Sequence, residues 1–270
     1  MSKIDSTARI EDGAIIGDGA SIGPYCTIGP NVTIGQDCKL HAHVNVAGHT
    51  TLGAGCTVFP FASLGTPPQD LGYRDQPTRL EIGDGCVIRE SVTMNVGTEK
   101  GGGLTRVGKS GFFMAYSHIG HDCIVGDNAI FANSATLGGH CQIGDFVYFG
   151  GLSAAHQFVR IGSQAMIGGV SGLRGDVIPY GLVSGQFARL EGLNVVGMRR
   201  RRFTHQRLQL VREFYQKLFH TSGVFAERLA AVLPMAEADP AIAEILKFIA
   251  DGEKRPLCMA FNKSDRQQDG

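Results

Sequence analysis

The chain has 270 residues, and its 25 lysines and arginines are balanced by 25 aspartates and glutamates. A formal charge of zero gives no overall attraction toward nucleic acid or an anionic membrane, so neither is expected as a partner. No apolar run approaches the roughly 20 residues of a membrane helix, and the first residues lack the apolar core of a signal peptide. We therefore expect a soluble, cytoplasmic protein without stable membrane insertion. Glycine is over-represented, at 38 of 270 residues against a usual ~7%.

An internal repeat of six residues accounts for the glycine. Apolar residues recur at every sixth position from Ile4 to Leu64, return in phase from Ile82 to Met94, and continue one position later from Val107 to Leu173. A small or β-branched residue often stands two positions earlier, and glycine often follows. This period matches neither an amphipathic helix nor an alternating strand. It predicts a coil of short strands and tight corners, in which glycine supplies the backbone angles of the turns.

The cysteines follow the same repeat. Six of the seven fall at the small-residue position, and no C-x-x-C pair exists, so we interpret them as small buried apolar residues rather than disulfide partners or metal ligands. The six are Cys26, Cys38, Cys56, Cys86, Cys123 and Cys141.

The array predicts a β-helix over residues 1–187 and an α-helical domain over 188–270. Two polar segments with glycine or proline interrupt the array, at 66–79 and 97–106, and loops on a rigid scaffold often carry function. A tolerated insertion is the equally weighted alternative for both loops.

Helical spacing begins after residue 187, for example at Leu208, Val211 and Phe214. Asp239-Pro240 predicts a helix start and Asp251-Gly252 a helix end. The last eight residues, KSDRQQDG, predict a frayed tail. The run Arg199–Arg202 has two interpretations of equal weight, a solvated helix end or a site for phosphates or an acidic partner.

Four histidines of the second array predict a site. The intervals from His121 to His140 and from His140 to His156 are close to one 18-residue coil, so these side chains and His118 are expected near one edge, on coils about 4.8 Å apart. Histidine is suited to accept a proton near neutral pH. Asp122 could orient His121, but neighbouring strand residues point apart, so that pairing requires a corner. A zinc site made mostly of histidine is the rival interpretation.

The string SHIGHDCIVGDNAIFANSATLGGHCQIGDF, with AAHQF, GLNVVGMRRRRF, PPQDLGY and the segment Asn95–Thr105, resembles the UDP-N-acetylglucosamine O-acyltransferases of lipid A biosynthesis over essentially the whole chain. The resemblance implies a left-handed parallel β-helix followed by a small helical domain. It implies a homotrimer with active sites in the clefts between subunits. The implied reaction, the first step of lipid A biosynthesis, moves an (R)-3-hydroxyacyl chain from acyl carrier protein to the glucosamine 3-position of UDP-N-acetylglucosamine.

The resemblance also assigns residues. His121 is implied as the general base, Asp122 as its support and the Gly139 amide as the oxyanion donor. The implied substrate-binding residues are Gln69, Asp70 and His118 at the sugar, His140, His156 and Gln157 along the cleft, and Asn194, Arg200 and Arg201 at the nucleotide. Gly169 and Phe187 match positions that gate or end the acyl channel. No metal and no cofactor is implied, because the acyl donor is carried on the phosphopantetheine of the carrier protein.

Two positions depart from the family pattern, Gly72 in place of a lysine and Val196 in place of a glutamate, and both concern substrate binding. Three alternatives remain at this point. They are the related N-acyltransferase, which carries an additional N-terminal domain for which a repeat starting at Ile4 leaves no room, a zinc hydratase of the γ-carbonic-anhydrase type, and a ligand-binding or structural solenoid. Acyl length and a hydroxyl or amino acceptor are left open.

Overall fold

The computed structural model describes residues 2–252 and 255–260. The hexapeptide array forms a three-sided coil in which every third strand belongs to the same sheet. Strand pairs within the array are parallel, and the last pair of the first sheet is antiparallel. The predicted tail, together with the rest of residues 261–270, lies outside the described part of the chain.

The strands are short because each side of the coil is only a few residues long. The first sheet contains Lys3–Ile4, Ser21–Ile22, Lys39–Leu40, Thr57–Val58, Val87–Ile88, Phe112–Phe113, Ile130–Phe131, Tyr148–Phe149, Met166–Ile167, Gly181–Ser184 and Arg189–Leu193. The second contains Arg9–Ile10, Thr27–Ile28, Asn45–Val46, Ser63–Thr66, Thr93–Asn95, His118–Ile119, Thr136–Leu137, Ala154–Ala155 and Gly172–Leu173. The third contains Ile15–Ile16, Thr33–Ile34, His49–Leu52, Arg79–Ile82, Leu104–Val107, Ile124–Val125, Gln142–Ile143 and Arg160–Ile161.

The register shows where the coil is interrupted. Ser21 pairs with Lys39, eighteen positions on, whereas Thr57 pairs with Val87 and Val87 with Phe112. The longer intervals contain the segments 66–79 and 97–106. The first runs between the strands that end at Thr66 and begin at Arg79. The second includes a 3-10 turn, Glu99–Gly101, and enters the strand Leu104–Val107.

The repeat residues from Ile22 to Leu173 are buried in the interior of the coil, as predicted, whereas Ile4 is 47% exposed. Rings of Phe113, Phe131 and Phe149 stack along the axis with centroids 5.3 and 5.1 Å apart. All seven cysteines are buried free thiols, which confirms the interpretation of the six repeat positions as small core residues. The core is therefore a continuous column rather than a set of separate clusters.

The prediction for the glycines was wrong at most repeat positions. Gly126, which follows Val125 in the repeat, does not adopt a positive φ. A Cβ there would lie 2.7 Å from the backbone nitrogen of Asp145 on the next coil. These glycines allow successive coils to approach closely. In the described chain, nineteen residues other than glycine have a positive φ. Most of them lie at corners of the coil, with Asp75 in the 66–79 loop and Arg202 after α1 as exceptions.

The described part of the second domain contains four α-helices, α1 (Val195–Arg200), α2 (His205–Phe219), α3 (Phe225–Val232) and α4 (Pro240–Ala250), with a 3-10 segment, Leu233–Glu237, between the last two. The Asp239 side chain accepts from the Ala241 N–H at the start of α4, and Asp251 caps its end, as predicted. The last coil is tied to α4 because Arg160 pairs with buried Asp176 at 2.7 Å and donates to the Phe248 carbonyl. No helix in the described residues combines the length and apolarity needed to span a bilayer.

Candidate active site

A cavity of about 480 Å³ opens along the second sheet and the corner that follows it. The strands contribute outward-facing side chains to this cavity. The corner contributes backbone groups of its glycines and the imidazole of His121. The lining residues are Gln69, Thr93, Asn95, His118, Gly120, His121, Thr136, Leu137, Gly138, Gly139 and Gln157.

The His121–Asp122 pair forms because the chain turns a corner between them. Asp122 has φ 58°, which swings its carboxylate back beside the preceding imidazole. Nδ1 of His121 lies 2.8 Å from Oδ2 of Asp122, and the two side chains are 13% and 1% exposed. The corner geometry that the pairing required is present. A carboxylate on Nδ1 orients the ring and leaves Nε2 for proton transfer.

Gly139 lies directly above His121 on the next coil. A Cβ at this position would fall 2.5 Å from Cε1 and Nε2 of the imidazole, so only glycine leaves room for the ring. Gly139 is buried, and its backbone N–H has no hydrogen-bond acceptor among the described residues. Buried N–H groups rarely stay unpaired. This one lies next to the Nε2 edge of the ring and can donate to a group bound in the cavity.

Two further histidines flank the pair. Nδ1 of His118 is 2.7 Å from Oγ1 of Thr93, and burial, followed by the charge of His121, lowers the pKa of His118. The rings of His140 and His121 meet edge to face at 4.9 Å. Burial lowers the pKa of His140, with the charge of Asp122 acting in the opposite direction. Both flanking imidazoles are therefore favoured as neutral groups that can donate or accept one hydrogen bond.

Sequence reasoning assigned no role to Thr98, Thr93 or Thr105. The backbone N–H and the hydroxyl of Thr98 both donate to Asp122, and the Asp122 N–H donates to Oγ1 of Thr105. Only the 97–106 interruption and the segment Asn95–Thr105 marked this region in the sequence. Which threonine reaches the carboxylate depends on how the inserted loop folds back.

The residues expected at the sugar and along the cleft divide into two groups. Gln69 and Gln157 line the cavity with His118. Asp70 is exposed on the 66–79 loop, where its Oδ1 accepts a hydrogen bond from the Gly72 N–H. The charge of Asp70 acts to raise the pKa of His140, against the effect of burial. His156 is exposed and outside the lining, with Nδ1 3.4 Å from the Gln157 carbonyl.

The residues expected at the nucleotide lie at a different corner. Buried Asn194 caps α1, accepting from the Gly197 N–H and donating to the Gln164 carbonyl. The guanidinium of Arg201 lies 4.2 Å from the centroid of the Phe146 ring, and burial lowers its pKa. Arg200 is exposed. Six residues separate this corner from that of Asp122, a strand length of about 20 Å. One chain does not bring the two groups together.

The two residues expected at the acyl channel also lie outside the cavity lining. Gly169 is exposed, and a Cβ there would meet the Gly151 carbonyl at 3.3 Å. Phe187 is 65% exposed, with the Arg174 guanidinium 4.7 Å from its ring centroid.

His121, Asp122 and His140 offer ligand atoms within 4.8 Å of one another, a spacing that could hold a metal ion. Both oxygens of Asp122 already accept hydrogen bonds, Oδ1 from the Thr98 N–H and Oδ2 from the Thr98 hydroxyl. With His121 Nδ1 on Oδ2, three of the roughly four lone-pair sites of the carboxylate are already used.

A coil of hexapeptides with an imidazole–carboxylate pair beside a free backbone N–H defines a hexapeptide-repeat acyltransferase. Residues 176–258 match the family described as "Udp N-acetylglucosamine O-acyltransferase; Domain 2". An acyl-[acyl-carrier-protein]–UDP-N-acetylglucosamine O-acyltransferase of Azorhizobium caulinodans is 56% identical over 258 residues, covering 96% of this chain and 95% of the relative. The chain belongs to the UDP-N-acetylglucosamine O-acyltransferase family.

Solved structures agree. LpxA from Acinetobacter baumannii superposes with a TM-score of 0.91 at 40% identity, covering 94% of this chain and 99% of its own. The UDP-N-acetylglucosamine acyltransferase of Francisella novicida gives 0.92 at 32% identity, with 97% and 95% coverage. The predicted fold, a left-handed parallel β-helix followed by a small helical domain, is confirmed.

Proposed function

We propose that the protein transfers an (R)-3-hydroxyacyl chain from acyl carrier protein to the 3-position of the glucosamine in UDP-N-acetylglucosamine, the first step of lipid A biosynthesis. The name of the Azorhizobium relative gives the same classes of acyl donor and acceptor, and the similarity covers nearly the whole of both chains. The observation that carries the chemistry is the position of His121, with Nδ1 on Asp122 and the Nε2 edge against Gly139.

The proposed reaction uses His121 as a proton carrier. Nε2 removes the proton of the sugar 3-hydroxyl while the hydroxyl oxygen attacks the thioester carbonyl carbon. The carbonyl oxygen becomes negatively charged and is stabilised by the Gly139 N–H. When the C–S bond breaks, the imidazolium returns the proton to the departing pantetheine thiolate. A thioester is already activated, so the proposal includes no metal and no cofactor.

The proposed substrate contacts use residues from two corners. Gln69, Asp70 and His118 hold the sugar, with Gln157, His140 and His156 along the cleft. Asn194, Arg200 and Arg201 face the uridine diphosphate, since arginine suits a pyrophosphate. Gly169 and Phe187 limit the acyl channel.

Because about 20 Å separates the two corners within one chain, we propose a homotrimer in which a neighbouring subunit supplies the second group. A row of exposed apolar residues at a third corner supports an interface between subunits. Tyr116 is 67%, Leu152 69% and Val170 62% exposed. Ser134 lies between Tyr116 and Leu152 at this corner. Single exposed apolar residues are ordinary, but several along one corner are typical of an interaction surface.

We place the enzyme in the cytoplasm, since neither an acyl carrier protein nor a nucleotide sugar crosses a membrane unaided. The test of the function is an assay of purified protein with UDP-N-acetylglucosamine and (R)-3-hydroxyacyl carrier proteins of graded chain length, with mass detection of product. A single-acylated nucleotide sugar supports the proposal. Failure with every donor rejects it.

The same preparation separates two further questions. The 3-amino analogue of the sugar nucleotide, offered in competition, determines whether the acceptor atom is oxygen or nitrogen. Metal analysis tests the zinc hydratase interpretation, which the family membership disfavours and which rests on the spacing of His121, Asp122 and His140. Stoichiometric zinc with carbon dioxide hydration and no acyl transfer would overturn the proposed function.

A further inference from the structure

The 97–106 loop closes over the carboxylate of Asp122. The backbone N–H of Thr98 donates to Oδ1 at 2.8 Å, and the Thr98 hydroxyl donates to Oδ2 at 2.6 Å. Thr98 and Asp122 are each 6% exposed, so little solvent reaches these bonds. One residue therefore engages both oxygens of the carboxylate that supports the proposed base.

Glycines allow the loop to reach this position. A Cβ on Gly101 would lie 2.1 Å from Cγ of Asp122, and a Cβ on Gly97 would lie 2.8 Å from Oδ1. The loop backbone is thus packed directly against the carboxylate. At Gly101 the three nearest atoms all belong to Asp122, whereas a Cβ on Gly97 would also meet the backbone of Gly103 and Leu104.

The hydrogen-bond donors around Asp122 determine where the proton of His121 lies. The Gly101 N–H donates to Oγ1 of Thr98, so the hydroxyl proton of Thr98 must go to another acceptor, and Oδ2 of Asp122 is at 2.6 Å. A carboxylate only accepts hydrogen bonds. The short contact to His121 therefore requires a proton on Nδ1, which leaves Nε2 of the neutral ring with its lone pair.

We infer that Thr98 is a positioning residue of the acyl transfer. It holds the Asp122 carboxylate in the orientation that selects the Nδ1–H form of His121 and thereby makes Nε2 the base. The inference rests on the proposed function. The 97–106 loop then contributes to the acyl transfer, whereas a merely tolerated insertion would have no effect on it.

The test compares Thr98→Val, which keeps the shape and backbone N–H but lacks the hydroxyl, with Thr98→Ser, which keeps both donors. Glu99→Gln, an exposed change in the same loop, is the matched control. Each protein is assayed for kcat and KM with UDP-N-acetylglucosamine and the donor that the wild type uses best. Thermal unfolding and sedimentation check that each variant is folded and assembled.

We expect Thr98→Val to lower kcat by about tenfold or more, the size of effect found when a residue that orients a metal-bound imidazole is lost. KM for the nucleotide sugar should change less than about twofold, because the hydroxyl contacts Asp122 and not the cavity. Thr98→Ser should restore kcat to near the wild-type value, and Glu99→Gln should leave it unchanged. An unchanged kcat in folded Thr98→Val overturns the inference.

A spectroscopic measurement on the wild-type protein keeps the inference testable if Thr98→Val does not fold. Solid-state NMR of histidine-labelled protein, with His121 assigned by difference from His121→Gln, distinguishes Nδ1–H from Nε2–H rings. We expect Nδ1–H in the wild type and a mixture in Thr98→Val. A wild-type Nε2–H ring overturns the inference. Wild-type protein without acyl transfer rejects the proposed function instead.

Discussion

Two adjacent corners of the same coils share a backbone conformation but differ in the polarity and solvent exposure of their side chains. Tyr116 and Leu152 at one corner, and Asp122 and His140 at the next, have φ between 58° and 63°. Tyr116 and Leu152 are 67% and 69% exposed, whereas Asp122 is 6% exposed. The first corner presents apolar side chains to solvent, and the second holds the polar groups of the candidate active site.

The coil provides the left-handed backbone of both corners, and the 97–106 loop provides the polar surroundings of Asp122. A left-handed conformation costs a residue with a side chain roughly 1–2 kcal/mol, and hydrogen bonds between successive coils form at both corners. For example, His140 N–H donates to the His121 carbonyl and Leu152 N–H to that of Asn133. The Asp122 corner is covered by the 97–106 loop of its own chain, and we propose that the Tyr116 corner is covered by a neighbouring subunit.

The largest expected effect comes from removing the base at the covered corner. His121→Ala should lower kcat/KM by about 10³-fold or more, which is within the range for loss of a general base. The unfolding temperature and the oligomeric state should not change, because the His121 ring lines the cavity and is not part of the hydrophobic core. His49→Ala, at an exposed histidine of the third sheet, is the control. Retained activity in His121→Ala would remove the covered corner from the chemistry.

The second-largest effect is expected from a substitution that shifts the His121 imidazole but leaves it in the protein. Gly139→Ala places a methyl group 2.5 Å from Nε2 of His121. We expect kcat to fall by about 10²-fold, comparable to loss of an oxyanion donor. Gly192→Ala, where no atom lies within 4 Å of the added Cβ, is the matched control. Equal activity of the two variants contradicts the close packing of Gly139 on the imidazole.

A substitution at the exposed corner should change the oligomeric state, and should lower activity only as a consequence. Leu152→Asp introduces a charge into the proposed interface and should convert trimers to monomers in analytical ultracentrifugation. Activity should fall in proportion to the trimer lost. Val224→Asp, at a residue 63% exposed at the start of α3, should leave assembly intact. A Leu152→Asp protein that stays trimeric shows that this corner faces solvent.

The smallest effect concerns an ion pair remote from both corners. Arg207 holds the pKa of Asp239 below its ordinary value through two hydrogen bonds. Because the folded pKa is lower than the unfolded one, the pair stabilises above about pH 4 and its contribution disappears as pH falls further. Asp239→Asn should flatten the pH dependence of urea unfolding below pH 4. We expect less than about 1 kcal/mol, since Arg207 is 38% exposed and solvent screens the pair.

The sequence was sufficient for the interior and for part of the site. The six-residue period identified the core column because every coil repeats the same steric requirement, and the cysteines followed from it. It did not indicate that the repeat glycines permit close coil contact, since a positive φ and a close approach both select glycine. The pairing of His121 with Asp122 could be stated only as a condition on a corner, which the structure meets.

The contacts made by inserted segments could not be predicted. Thr98 reaches Asp122 across twenty-four positions because a loop of irregular backbone folds back, and no period describes such a path. Asn194 was expected to face the nucleotide, yet both polar atoms of its amide are bonded within the chain, to Gly197 and Gln164. The roles of Arg200, Arg201 and Phe187 stay predictions, since they depend on the proposed substrates and neighbouring subunit.

The most direct test is a structure of the protein bound to UDP-N-acetylglucosamine. The account predicts Nε2 of His121 within about 2.6–3.2 Å of the sugar 3-hydroxyl oxygen, with Nδ1 on Asp122 and the diphosphate near the arginines of a neighbouring subunit. A sugar bound away from the His121 corner, or a diphosphate held entirely by the chain that supplies the imidazole, would contradict it.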